Sequence, residues 1–377
     1  MLQISYLDNS ATTKPCEQSI KYLNDAICNN WGNPSSLHSL GINAEEIINS
    51  CKKTIATFIS CREDEILFTS GGTEANNIAI LGAALSRQKR GNRIITTAFE
   101  HPSVLETVKA LETKGFEVVY LKPQKNGAIS LEELKNAINQ KTILVSIMLV
   151  NNEIGAIQPV SEVAKIVKSS GAPALIHCDA VQGFGKLDIK VSSLGVDLMT
   201  FSGHKIHAPK GIGALYKKKG VNILPNTFGG GQQNGLRSGT EPVPLIAALE
   251  GAIKALTPIS QQINDIQKLR DLAAKKLSML GVCINSPNDA LPYILNVSLE
   301  GYRSETLLHF LDAKGVYVSS GSACSKGATS QTLKALSLSA GRIDSALRIS
   351  FSRYNTETDI MRLCDALEEA KQKIKKV

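Results

Sequence analysis

At 377 residues the chain exceeds the roughly 250 to 300 at which a single core stops growing, so two lobes are expected, one of them large. Hydrophobic residues at 43%, charged residues at 20% and a mean hydropathy of -0.03 exclude a disordered or fibrous chain, and no apolar run nears the roughly 18 residues of a membrane span. The 42 basic and 34 acidic residues leave +8, but apart from Lys217 to Lys219 and the tail KQKIKKV the lysines are scattered, which describes a solvated surface and no direct nucleic-acid footprint.

The opening MLQISYLDNSATTKP lacks a basic stretch followed by an apolar one, so the expectation is a cytoplasmic protein with no membrane contact. Eight cysteines fall at 16, 28, 51, 61, 178, 283, 324 and 364, and none forms C-x-x-C. That spacing argues against a zinc ribbon or a disulfide framework and leaves reduced thiols, most of them core filler. His204 and His207 lie in H-K-I-H and not H-E-x-x-H, so no metal site is expected.

From about residue 60, short apolar runs alternate with amphipathic stretches. EILFT precedes NNIAILGAAL, RIITT precedes SVLETVKAL, and FEVVYL precedes a helix opened by the S-x-x-E box of Ser130 and Glu133. TILVSIMLV, helix-like SEVAKIVKSS, ALIHCD, DLMTFS and GALYK continue the pattern. Such alternation predicts an α/β fold: a mostly parallel sheet covered by helices on both faces. A long helical region begins near Pro244, pauses at Thr257-Pro258 and resumes through QQINDIQKLRDLAAKKLSML. The expected division is therefore a large domain over 16–257 and a smaller α/β domain over 1–15 and 258–377, the latter with strand-like YILNVSL, VYVSS and ALRISFS.

In an open parallel sheet, ligands bind outside the carboxyl ends of the strands. After EILFT comes Ser70-Gly71-Gly72-Thr73-Glu74 and then a helix, whose free N–H groups suit a phosphate. Neither G-x-x-x-x-G-K-[ST] nor G-x-G-x-x-G occurs, and Thr73 alone could equally be an N-cap. After ALIHC comes Asp179, with Gln182 close behind, and after DLMTF come Ser202, Gly203, His204 and Lys205. A strand-end lysine can form a Schiff base with an aldehyde cofactor, and a carboxylate can keep a pyridine nitrogen protonated. These are the two requirements of pyridoxal phosphate. An ordinary surface lysine is the simpler reading of Lys205 by itself; the phosphate loop and the acid at neighbouring strand ends favour the chemical one.

RIITT leads to His101-Pro102, where the imidazole can stack on a cofactor ring or move protons, or serve only structure. TILVSIMLV ends at Asn151-Asn152-Glu153, an amide able to meet a phenolic oxygen, although asparagine is common in turns. Cys324 lies in VSSGSACSKG, small, polar and next to Lys326, unlike a core cysteine. Arg348, embedded in ALRISFS, suits a bidentate carboxylate, and a structural ion pair is an equal reading.

Taken together, YLDNSATT, GNPSSLHSLG, FTSGGTEANN, EHPSVL, VNNEIGAIQPV, HCDAVQGFGK, SGHKIHAPKGIG, GGGQQNGLRSGT and SSGSACSKG, in this order, resemble the cysteine desulfurases of the nitrogen-fixation and iron-sulfur-assembly type, which have the class V aminotransferase fold and use pyridoxal 5'-phosphate. The resemblance implies a fold-type I transferase with a seven-stranded large-domain sheet. It makes Lys205 the Schiff-base lysine, Asp179 the partner of the pyridine nitrogen and His101 the stacking residue. Asn152 and Gln182 meet the ring oxygen, Asn152 also lying at the substrate, and Gly72, Thr73, Ser202 and His204 hold the phosphate. Thr240 reaches the phosphate of a neighbouring subunit, implying a homodimer, and Arg348 holds the carboxylate of L-cysteine.

By the same resemblance, Lys205 takes the Cα proton and Cys324 accepts sulfur as a persulfide, leaving L-alanine. The sulfur then passes to an acceptor protein, an iron-sulfur scaffold or a tRNA-thiolation sulfurtransferase, and Cys324 can transiently ligate a nascent iron-sulfur cluster. Another enzyme on this fold, such as an aminotransferase or a selenocysteine lyase, differs in the cysteine loop, and a non-catalytic sulfur relay would need neither the lysine nor the phosphate loop. The stretch from Cys324 to Leu333 is shorter than in the housekeeping members, Gln233 and Asn234 stand where many relatives carry Glu and Arg, and Ala208 where many carry Gly.

Overall fold

A computed structural model describes residues 4–320 and 330–376. The central sheet has seven strands: β2 (Ile66–Thr69), β3 (Arg93–Thr97), β4 (Glu117–Leu121), β5 (Thr142–Met148), β6 (Leu175–Asp179), β7 (Leu198–Ser202) and β8 (Gly213–Lys217), in the order β2-β8-β7-β6-β5-β3-β4. β8 runs antiparallel to both its neighbours, and every other pairing is parallel. Helices on both faces leave the middle strands no wet side, which is why β5, β6 and β7 are buried throughout and read as apolar runs. Beneath the β6 and β7 ends, Phe184 stacks on Phe201 with centroids 4.2 Å apart.

The expected helices form over Gly72–Arg87, Pro102–Glu112, Leu131–Ala137, Val160–Ser169, Val243–Lys254 and Ile259–Met279. Ser130 Oγ accepts from the Glu133 amide at 3.2 Å, the forward half of the expected box. Two helices precede the region where alternation is legible, Glu17–Asn29 and Ser39–Ile59. The first lies against Val243–Lys254 so closely that a Cβ on Gly251 would fall 2.7 Å from the Gln18 carbonyl oxygen. No single helix among the described residues is long and apolar enough to cross a membrane.

A second sheet of four antiparallel strands, β12-β13-β10-β9, uses β9 (Cys283–Ile284), β10 (Ile294–Ser298), β12 (Ser319–Ser320) and β13 (Ala346–Ser350). VYVSS, expected as one strand, divides at Val318: β11 (Val316–Tyr317) pairs instead with β1 (Ser5–Tyr6) in a parallel ribbon. Leu7 N donates to Tyr317 O and Ser350 N to Leu7 O, so the N-terminal strand is tied into the second half of the chain. The segment that follows it, Asp8 to Thr13, is delivered across the C-terminal ends of the large sheet.

Candidate active site

Three strand ends supply the chemistry, those of the neighbours β6 and β7 and that of β2, which lies across β8 from β7. β6 ends at Asp179, whose Oδ2 accepts from Asn76 Nδ2 at 2.7 Å and whose Oδ1 accepts from the Val181 amide at 3.0 Å. Both bonds aim the carboxylate. Asn76 Nδ2 also donates to Ser103 Oγ at 2.8 Å, and that hydroxyl lies 2.8 Å from His101 Nδ1. One chain of hydrogen bonds therefore runs from His101 to Asp179. His101 also caps the helix Pro102–Glu112, accepting from the Ser103 amide at 3.1 Å. Burial lowers its proton affinity, assisted by Lys205 and opposed by Asp179.

β7 ends at Ser202, followed by a single 3-10 turn, Gly203–Lys205. Lys205 Nζ donates to the carbonyls of Ser10 at 2.5 Å and Ala11 at 2.8 Å. Gln182 Nε2 donates to the same Ser10 carbonyl at 3.0 Å. His204 Nδ1 lies 3.1 Å from Thr12 Oγ1, and burial followed by the Lys205 charge lowers its pKa to about 4, leaving a neutral ring at physiological pH.

β2 leads into the helix Gly72–Arg87. A Cβ on Gly72 would stand 2.8 Å from Val181 Cγ2 and 3.6 Å from Ser202 Cβ, so glycine lets this helix N-terminus reach the ends of β6 and β7. Ser202 Oγ is buried with no hydrogen-bond partner among the described residues. An unspent hydroxyl beside free helix N–H groups suits a phosphate. Thr73 is exposed at the same terminus and shares a cavity of about 420 Å³ with His101 and Ser103. A larger cavity, about 1080 Å³, opens near His207 and Tyr354, lined by none of Lys205, Asp179 and His101; the strand-end chemistry, not volume, marks the site.

Arg348, on β13, donates from Nη2 to Asp8 Oδ1 at 2.9 Å and from Nη1 to the Asn152 carbonyl at 3.0 Å. Asp8 also lies within the field of Lys205. Beside Asn152, Glu153 accepts from Thr332 Oγ1 at 3.0 Å and from Ser330 Oγ. Thr240 is exposed in the loop after Arg237, which itself pairs with Glu74 at 3.0 Å. Cys324 lies outside the described residues. The seven described cysteines are all free, and burial pushes the thiols of Cys51, Cys61, Cys178 and Cys364 upward, away from the thiolate form.

The structure thus brings His101, Asp179, Gln182, Ser202, His204, Lys205, Gly72 and Thr73 to the C-terminal ends of the strands, with Arg348 paired to Asp8 within the field of Lys205 and the Asn152 carbonyl bonded to Arg348. Reading strand ends residue by residue missed Asp8, Ser10, Ala11 and Asn76. The first three belong to YLDNSATT, a short polar stretch without periodicity; Asn76 sits inside a helix that otherwise reads as apolar packing.

A seven-stranded, mostly parallel sheet with this row of strand-end residues and a second, smaller sheet is the architecture of the fold-type I transferases. The chain belongs to the aminotransferase class-V family, whose model matches residues 5–363. It is 41% identical over 375 residues to "Cysteine desulfurase IscS" of Methanosarcina thermophila, covering 98% of this chain and 92% of that one. Among solved structures it is similar to "NIFS-LIKE PROTEIN", with a TM-score of 0.94 and 38% identity over 99% of this chain and 100% of the other. It is also similar to "SspA in complex with cysteine", with a TM-score of 0.82 and 32% identity over 93% and 100%.

Proposed function

We propose that this chain is a pyridoxal phosphate-dependent cysteine desulfurase that converts L-cysteine to L-alanine and loads the sulfur onto Cys324 as a persulfide. The observation that carries the reading is the convergence of Lys205, Asp179 and the Gly72–Thr73 helix terminus at the C-terminal ends of the strands, in a chain 41% identical to a relative bearing that name.

The residues fit the cofactor. Gly72, Thr73, Ser202 and His204 would hold its phosphate, the orphaned Ser202 hydroxyl supplying a donor. Asp179, aimed by Asn76, would hold the ring nitrogen, His101 would cover the ring face, and Gln182 and Asn152 would meet its oxygen. Bound there, pyridoxal phosphate supplies an electrophilic carbonyl carbon and a ring that draws charge from the substrate Cα. Lys205 would hold the cofactor through Nζ and, as a free amine, would take the substrate Cα proton at the same atom. Arg348 orients the substrate carboxylate through its guanidinium, which Asp8 and the Asn152 carbonyl hold in place. The Cys324 thiolate attacks the substrate sulfur, the S–S bond forming as the substrate Cβ–S bond breaks with its electron pair left on the carbon fragment, which takes up protons to become alanine. A thiolate on an acceptor protein then attacks the outer sulfur and Cys324 leaves as thiolate.

The acceptor belongs to this reading as a scaffold for iron-sulfur clusters or a tRNA-thiolating sulfurtransferase. So does a homodimer, with Thr240 of each subunit serving the other's phosphate site; Thr240 is exposed, and so are the apolar side chains of Trp31, Leu37 and Phe228. The β1–β11 pairing supports grouping 1–15 with 258–377 against 16–257, and free thiols throughout the described residues agree with a reducing cytoplasm. The test is incubation of the pyridoxal phosphate-loaded protein with L-cysteine. Alanine should appear, and the Cys324 peptide should gain one reducible sulfur by mass; absence of both would overturn the reading.

A further inference from the structure

Lys186 takes no part in the reaction as described, yet it is only 5% exposed. Lysine is almost never buried without a partner that needs it. It follows Gln182 by four residues in the turn after β6, and its Nζ donates to Gln182 Oε1 at 3.3 Å while lying 5.5 Å from the centroid of the Tyr293 ring. No carboxylate among the described residues forms an ion pair with it. The cations Lys205 and Arg348 surround it electrostatically, and His204 and His207 feel its charge.

An ammonium has donors and no acceptor, so it can face only the oxygen end of an amide. With Oε1 of Gln182 taken by Lys186, Nε2 must point the other way, and it does, donating to the Ser10 carbonyl that also receives Lys205. A half-turn of the amide would set N–H groups against the Lys186 ammonium and Oε1 against the Ser10 carbonyl, so Lys186 and Ser10 together fix its orientation. A ring oxygen bearing negative charge needs a donor there.

We infer that Lys186 is a positioning residue of the cofactor site, fixing the Gln182 amide so that its N–H groups face Lys205 and the ring oxygen. The inference rests on the pyridoxal phosphate reading above. Burial, followed by the charges of Lys205 and Arg348, lowers the proton affinity of Lys186 to about 7. The restraint belongs to the ammonium, since a neutral amine also carries a lone pair that can accept from an amide N–H.

The test is a pH titration of the visible absorbance of the full chain loaded with pyridoxal phosphate. Lys186→Met fills the space but donates nothing. The ring oxygen then loses an N–H donor and Lys205 loses a neighbouring cation, and both losses favour the protonated form, so the midpoint should rise by on the order of one pH unit. Lys186→Arg, again a donor-only cation, should restore the native midpoint. If the Met variant does not fold, Lys186→Gln carries the same test, with a smaller shift of the same sign. A folded Met or Gln variant with the native midpoint would overturn the inference while leaving the site reading intact. A native chain that acquires no visible band would overturn both.

Discussion

Asp8 and Arg348 form an ion pair at 2.9 Å between residues 340 apart in sequence, joining the N-terminal segment to β13. Burial raises the Asp8 carboxyl overall, against the Arg348 charge that lowers it. Arg348 is 6% exposed, and its Nε has no partner among the described residues. The guanidinium is therefore held from one side by a carboxylate and a carbonyl, which restricts it to the orientation a second carboxylate would meet. The two sequence readings of Arg348, structural ion pair and substrate clamp, are thus compatible.

Arg348→Ala should raise the KM for cysteine, since a charge-assisted bidentate contact contributes about 1.5 to 3 kcal/mol, or roughly 10- to 150-fold. The absorbance of bound cofactor should stay as in the native protein. Steady-state kinetics decide it: an unchanged KM would make the Asp8 pair the whole function of Arg348.

Lys205→Ala should abolish turnover and leave the fold intact, because the Ser10–Ala11 segment to which Nζ donates is also held by Ser10 N on Ser350 Oγ and Thr13 N on the His204 carbonyl. Borohydride should no longer fix the cofactor to the protein, while noncovalent binding through Asp179 and the Thr73 helix terminus persists. Retention of a borohydride-fixed cofactor in this variant would point to another lysine.

Asn76→Ala should weaken cofactor retention by about tenfold, the usual consequence of removing a donor to a carboxylate. It strips Asp179 Oδ2 and Ser103 Oγ of the same N–H group, so His101 also loses its link to Asp179. Titration of the apoprotein with pyridoxal phosphate, followed by absorbance, measures the change; native affinity would mean that the Val181 amide alone suffices to orient Asp179.

Much of this architecture was legible because parallel strands buried on both faces must be continuous apolar runs, and ligand-facing residues must follow them. Asp179, Ser202 and Lys205 each follow or end such a run. What periodicity could not reveal is anything carried by residues distant in sequence. Asp8, Ser10 and Ala11 reach the site because β1 pairs with β11 and the residues after it bond to Ser350 of β13, and no local pattern announces a two-residue parallel ribbon. VYVSS has the composition of one strand; its division follows from competing partners, β1 on one side of Val318 and β13 on the other. Nothing local in HCDAVQGFGK separates Lys186 from a surface lysine; its burial is set by tertiary packing around the turn after β6.

The fully buried His177, between Ser146 Oγ at 2.8 Å and Thr200 Oγ1 at 3.1 Å, should make stability fall in mild acid. Burial lowers its pKa to about 4, against the slight upward pull of Asp179, whereas an unfolded histidine titrates near 6.5. Below that value the unfolded chain binds the proton and the folded chain does not, so stability rises with pH across this window and is lost as pH falls from about 6.5 toward 4, by up to roughly 3 kcal/mol. Urea midpoints at pH 7 and pH 5, compared with those of His177→Asn, should show a smaller acid loss in the variant. Equal losses would assign the effect to other groups.

Cys324→Ser separates a desulfurase from any other enzyme built on this fold and cofactor. Serine replaces a thiol of reference pKa about 8.5 with a hydroxyl scarcely ionised at neutral pH, so attack on the substrate sulfur should fail. The earlier steps belong to Lys205, Asp179 and Arg348 and need no thiol, so cysteine should still shift the cofactor absorbance of the variant while alanine release falls to a small fraction of native. Among the described cysteines, Cys51 and Cys178 are shut away from solvent with their thiols pushed up by burial, which leaves them poor substitutes. Native protein given cysteine should carry one added sulfur, lost on reduction, on the peptide containing Cys324. If Cys324→Ser releases alanine at the native rate, or if the added sulfur maps to another cysteine, Cys324 is not the acceptor and the site is that of a lyase acting without it.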